Sequence, residues 1–210
     1  MSETKVVNKK LDISTEEKIK EAARIVFQKK GFAATRTRDI AEEAGINLAL
    51  LNYYYRSKKN LFDIIMFETV FAFMQNMGKV LNDEKSTLEG KVEQIATNYI
   101  DFISKEPNTP IFMLSELHNN ATGLMEKLPI KQLIMDSAFF RQHQVAVQKG
   151  VITDPNPLHF LMNLLGMIVF PFIGKPLLKG IGGMNDEQFE KMIMERKKRI
   201  PIWIKAMMSA

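Results

Sequence analysis

Two short apolar-striped segments meeting at a glycine constrain this chain more than any other feature. Thr37 caps the first segment, which carries Ile40, Ala41 and Ala44 on one face and stops at Gly45. Asn47 offers a polar cap to the second, which carries Leu48 to Tyr54. Apolar residues three and four apart share a helix face, and a glycine after the last turn takes the left-handed conformation that ends a helix. Two short helices joined by so tight a turn form a helix-turn-helix.

The flanking sequence extends this into a three-helix domain. Ser14-Thr15-Glu16-Glu17 predicts a helix start with a capping box, followed by the stripe Ile19, Ala22, Ala23, Val26 and Phe27. Gly31 predicts its end as a left-handed residue, with Phe32 folding back on the apolar face. Ser57 caps a long helix through Leu61, Phe62, Ile65 and Met66 towards Leu81. Residues 1–13 lack sustained periodicity and read as a frayed, flexible arm. The expected division is thus an arm at 1–13, a helix-turn-helix domain at 14–60 with a connecting helix at 57–82, and a larger helical domain at 83–210.

Beyond residue 82 long amphipathic helices continue, with breaks at 82–86, 107–110, 119–123, 128–129, 150–157 and 179–185. Pro201 either kinks or restarts the last segment. No alternating strand pattern interrupts them, so the fold class is all-α. The greasiest stretch, Leu158 to Gly174, is broken by Asn163, Gly166 and Pro171 and falls short of the roughly 20 residues of a membrane span. With no signal-peptide pattern and no cysteine, the expectation is a soluble cytoplasmic protein without disulfides, thiolate metal sites or membrane contact.

Charge is unevenly placed. The chain carries a net +5, and residues 1–60 account for all of it, with 13 Lys and Arg against 8 Asp and Glu. A basic module attached to a neutral one suits a polyanionic partner, although a solvated basic surface gives the same count. Helical phase adds direction. Ile46, Leu51 and Tyr55 fall inward, against Ile40, Ala44 and Phe27, leaving Leu48, Ala49, Asn52, Tyr53 and Tyr54 for a groove or its walls. Three consecutive tyrosines cannot all be buried, because successive side chains diverge around the axis. Thr37, at a helix N-terminus, and Lys58, just after the cap Ser57, occupy positions that attract anions.

The string from Gly31 through Arg36-Thr37-Arg38-Asp39-Ile40 to Gly45-Ile46, and then Leu51-Asn52-Tyr53-Tyr54-Tyr55-Arg56-Ser57-Lys58 to Phe62, resembles the DNA-binding domain of the TetR family of transcriptional regulators. The likeness spans Glu17 to Phe62. It implies base contacts at Leu48, Ala49 and Leu50, and phosphate contacts at Thr37, Asn52, Tyr53, Tyr54 and Lys58. Many relatives carry Lys or Arg and then a small residue at positions 48 and 49, and Tyr at 52. Leu48 would therefore read a thymine methyl, or the operator would be read through its shape.

The same resemblance implies a homodimer on double-stranded DNA, paired through 158–173 and 186–199. The near-uniform apolarity of Leu161, Leu164, Leu165, Ile168, Val169 and Phe172 fits that role, or a central core helix of a monomer. The resemblance further implies a small-molecule pocket whose filling releases a repressor from DNA, and an apolar, weakly charged lining points to a hydrophobic effector. Tyr99, Phe102, Phe112, Met113, Glu116, Met125, Phe139, Phe140 and His143 are its candidate lining, and each would serve equally in an ordinary core. His118, His143 and His159 lack the spacing that sets two ligands on one helix face, and no phosphate loop or nucleophile elbow occurs. No enzyme activity, metal or cofactor is expected. An architectural DNA-binding protein without an effector, and a helical enzyme or carrier, are the competing classes.

Overall fold

The computed structural model describes residues 2–128 and 130–208, with side chains from residue 15 onward. Among them there are eleven helices and no strand. They are α1 (Ser2–Ala34), α2 (Thr37–Glu43), α3 (Leu48–Tyr55), α4 (Lys58–Leu81), α5 (Leu88–Lys105), α6 (Thr109–Lys127), α7 (Ile130–Met135), α8 (Ala138–Gln148), α9 (Pro157–Ile173), α10 (Lys175–Gly182) and α11 (Asp186–Met208). The chain divides into two units, Met1–Val70 and Phe71–Ala210. The boundary lies within α4, twelve residues ahead of the start at 83 expected from sequence.

In the first unit, α1 does not wait for Ser14. It begins at Ser2, so residues 2–13 are helical rather than a frayed arm, and Met1 lies outside the described residues. No Gly or Pro stands between Ser2 and Lys30, and lysine, glutamate and leucine tolerate helix well. Gly31 kinks the helix at φ 72°, ψ 166°, an extended glycine-type conformation in place of the expected left-handed one. The Thr35 hydroxyl donates to the Gly31 carbonyl at 2.7 Å and secures the bend. Ile19, Ala23, Phe27, Ile40, Leu51, Leu61 and Ile65 form the core. Phe32 closes it, its ring 4.7 Å from that of Phe62. By length and apolarity α4 would pass for a membrane span. Here its first half is core, and Glu68 pairs with Lys20 and Arg24 of α1.

The second unit is built on α5, α9 and α11, whose Val92, Ile95, Ile100, Leu164, Ile168, Ile193 and Ile200 interlock. Lys91 is fully buried, yet its ammonium donates to the Ser86 carbonyl and hydroxyl, both at 2.9 Å, and to the Asp83 carbonyl. Burial pushes its pKa down, and those three acceptors compensate the buried charge.

Two expectations need correction here. The glycine-rich stretch at 179–185 is not a plain break: α10 runs through Gly180 and Gly182 and ends at Gly183, which is left-handed at φ 58°. Pro176 stands in its first turn, where no backbone N–H is needed. Of the two roles expected for Pro201 the restart is excluded: α11 is continuous to Met208, with Ile200 and Ile204 buried on either side of the proline.

Candidate nucleic-acid interface

Ala44 closes α2, and the N–H groups of Gly45 and Ile46 then donate to the carbonyls of Glu42 and Ala41, at 3.1 and 3.0 Å. That pair of bonds is a Schellman motif, and it requires the left-handed conformation Gly45 adopts at φ 65°. The Asn47 side-chain oxygen accepts the Leu50 N–H at 2.8 Å, which starts α3. At the head of α2 the N-cap is Arg36 and not Thr37. Its N–H is held at 2.9 Å by the Asp39 carboxylate, which exceeds the reach of a threonine hydroxyl one residue later. That bond, with the Lys30 ammonium 3.1 Å away, holds the Asp39 carboxyl below the usual carboxylate range.

The phase of α3 is as read for Leu51, Tyr55 and Tyr53, while Tyr54, expected outward, and Ala44, expected inward, are both half-buried. Leu51 and Tyr55 are buried one turn apart, and Ile46 is half-buried ahead of them. The Tyr55 hydroxyl donates to the Glu16 carbonyl at 3.3 Å. Burial, reinforced by the charges of Glu16, Glu17 and Glu68, raises its pKa and keeps it a neutral donor. Leu48, Ala49, Asn52 and Tyr53 are exposed, Tyr53 to 78%, while Leu50 and Tyr54 are half-buried. The rings of Tyr53 and Tyr54 meet edge to face at 5.4 Å. The outward face of α3 therefore consists of short or aromatic groups free of charge.

Lys58 has a role that sequence reasoning missed. Its ammonium donates to the carbonyls of Phe32 and Thr35, both at 2.8 Å, and lies 4.4 Å over the Phe32 ring. It ties the start of α4 to the bend between α1 and α2. Thr37 is half-buried at the first turn of α2. Sequence reasoning also passed over Arg36, Arg38 and Arg56, which lie exposed at the two ends of the motif. Their only signal was the local excess of positive charge.

The expected effector residues do not form one wall. Phe139, Phe140 and His143 of α8 line a common pocket with α9 residues, Phe160 and Leu161 among them. Tyr99 and Phe102 of α5 instead pack around Phe73, at 4.6 and 4.0 Å between rings. Desolvation pushes the Tyr99 phenol up to about 12. Phe112 is buried, and Met113 and Glu116 are half-buried, outside that pocket. Met125 is 45% exposed and lies outside that pocket as well. Asn120, at φ −154°, breaks α6 and separates Met125 from the phase of Phe112.

A capped, charge-free helix set by a glycine turn, in a first unit that carries the chain's excess of basic residues, is the arrangement of a helix-turn-helix DNA-binding domain. Residues 19–65 match the family model described as "Bacterial regulatory proteins, tetR family". Over 208 residues the chain is 26% identical to the "Probable HTH-type transcriptional regulator YttP" of Bacillus subtilis (strain 168), covering 93% of this chain and 95% of that protein. Among solved structures, a protein of Mesorhizobium loti assigned to the TetR family shares the fold with a TM-score of 0.61 at 17% identity, covering 93% and 95% of the two chains. The regulator FadR of Bacillus subtilis, solved in complex with stearoyl-CoA, does so with a TM-score of 0.59 at 14% identity, covering 91% and 98%. Residues 19–65 thus carry a TetR-type DNA-binding domain, and over nearly its whole length the chain is similar to an HTH-type transcriptional regulator.

Proposed function

We propose that the protein is a cytoplasmic repressor that grips a near-palindromic operator as a homodimer and lets go when a small hydrophobic effector fills its second unit. The observation that carries this reading is α3, capped by Asn47, with Leu51 and Tyr55 buried and Leu48, Ala49, Asn52 and Tyr53 presented outward. Leu48, Ala49 and Leu50 would meet base edges, Leu48 against a thymine methyl. Thr37, Asn52, Tyr53 and Tyr54 would donate to phosphates. Arg36, Arg38 and Arg56 add charge at the motif's ends, and Lys58 would act on the backbone mainly by holding the bend in place.

A single small reading head covers too little DNA for tight and selective binding, which favours a dimer. Support comes from α9. Phe160, Leu164 and Ile168 are buried on one face, while Leu158, Met162, Gly166 and Phe170, spaced four apart, lie exposed on the other. On α11, Ile202, Trp203 and Met207 are exposed as well, extending the candidate surface past residue 199. An apolar stripe of this kind on two adjacent helices suits pairing with a second copy. The stearoyl-CoA held by FadR gives an apolar effector a precedent within the same fold.

The experiment is a gel shift with duplex from the promoter region of the protein's own gene against shuffled duplex of the same composition. Selective binding that is lost with Asn52→Ala and Tyr53→Ala supports the reading. Equal affinity for both duplexes, falling steeply with salt, would mark an architectural protein instead.

A further inference from the structure

His143 lies on α8 at 2% exposure, its ring edge-on to Phe160 with 5.4 Å between centroids. Neither ring nitrogen has a hydrogen-bonding partner among the described residues. A neutral imidazole presents one donor and one acceptor, and buried polar groups are matched in the great majority of proteins. The ring forms part of a pocket wall that is otherwise apolar, with Ile134, Phe139, Phe140, Phe160 and Leu161 around it. One polar group set in such a wall is the pattern of a small-molecule site in which apolar surface supplies affinity and the polar group fixes orientation.

We infer that this pocket receives an uncharged amphiphile, an aromatic or hydrocarbon body bearing one hydroxyl or carbonyl head, and that His143 holds the head. The inference rests on the effector reading above and gives the effector its chemistry. Burial lowers the pKa of His143, and the nearby Asp154 carboxylate opposes this more weakly, so the ring is neutral at pH 7. A carboxylate head would have to shed its water against a neutral ring and the charge of Asp154, which costs far more than one hydrogen bond returns. A hydrocarbon without a head would leave both nitrogens unmatched. The enclosed space is about that of one water molecule, so the ligand enters by parting the side chains that line it, Met135 among them.

Calorimetric titration of the full chain at pH 7.5 with ethylbenzene, 4-ethylphenol and 4-ethylbenzoate holds the body constant and changes only the head. The phenol is expected to bind at least about tenfold more tightly than either of the others. In His143→Leu, which removes the unmatched group without opening a large void, that preference should collapse. In His143→Gln, which keeps a donor and an acceptor, it should persist in part, and this variant carries the test if the leucine variant does not fold. Indifference of the wild-type protein to the head, tightest binding of the benzoate, no binding of any of the three, or a preference unchanged in His143→Leu would each overturn the inference. Operator binding is measured on the same samples without ligand. Its loss alongside an intact phenol preference would strike at the regulator reading and leave the pocket chemistry standing.

Discussion

The Lys58 ammonium sits 2.8 Å from the carbonyl oxygen of Thr35, across 23 residues of chain, and the same group reaches the Phe32 carbonyl. The cation thus neutralises two backbone acceptors left over where α1 bends into α2. Charged hydrogen bonds of this kind contribute about 2 kcal/mol, and leaving half-buried carbonyls unmatched is costly. Lys58→Met should therefore lower stability by about 2 kcal/mol in urea denaturation while also weakening DNA binding. A residue serving only as a phosphate contact would lose affinity and flatten the salt dependence, with stability unchanged.

Gly45 tests the turn. A Cβ added there would meet nothing within 4 Å, so any cost of Gly45→Ala comes from its φ of 65° alone. Forcing an alanine into left-handed backbone costs about 1–2 kcal/mol. Thermal unfolding should show that loss, and DNA affinity should fall with it because the turn sets the angle of α3. An unchanged melting temperature would mean that the turn relaxes freely.

The outward stripe of α9 is addressed by Phe170→Glu. Phe170 is 57% exposed, so the substitution leaves the fold of a single chain intact, as judged by circular dichroism. Light scattering should report a dimer for the wild-type protein and a monomer for the variant, with operator affinity falling sharply. A wild-type monomer, or a variant that stays dimeric, would remove α9 from the interface.

His143 also predicts a pH dependence. Its folded pKa lies below the ordinary 6.5, with Asp154 the charged group acting on it. Well above pH 6.5 the ring is neutral folded or unfolded and contributes no slope. As pH falls below 6.5 the unfolded chain takes up a proton that the folded chain refuses, so stability declines. The wild-type melting temperature should drop between pH 7 and pH 5, and His143→Leu should drop by less. Equal slopes would show that the ring charges without cost.

Much of the helix-turn-helix was legible because its determinants are local. Gly45, Asn47 and the Leu51–Tyr55 spacing act within one or two turns, and each behaves as its residue type and position dictate. Lys58 was not legible as a tie, since its acceptors are backbone carbonyls that only the folded bend presents. Thr37 looked like a cap because threonine prefers that position, but the Asp39 carboxylate reaches back to Arg36 and moves the cap by one residue. The helix α10 was hidden by its glycines, whose low helix propensity is overridden once Pro176 and Gly183 fix its two ends. In the second unit every apolar residue suits both a core and a pocket, so only three-dimensional proximity separates Phe139, Phe140 and His143 from Tyr99, Phe102 and Met125.

The most direct measurement is fluorescence anisotropy on an operator first located by footprinting, and on duplexes with each of its base pairs changed in turn, for wild-type protein and for Leu48→Ala. If α3 reads the major groove, the wild-type protein loses about 1–3 kcal/mol at a few clustered positions, and Leu48→Ala erases the penalty at one thymine alone. A flat profile across all positions, or one identical in the variant, would contradict the assignment of α3 as the reading helix.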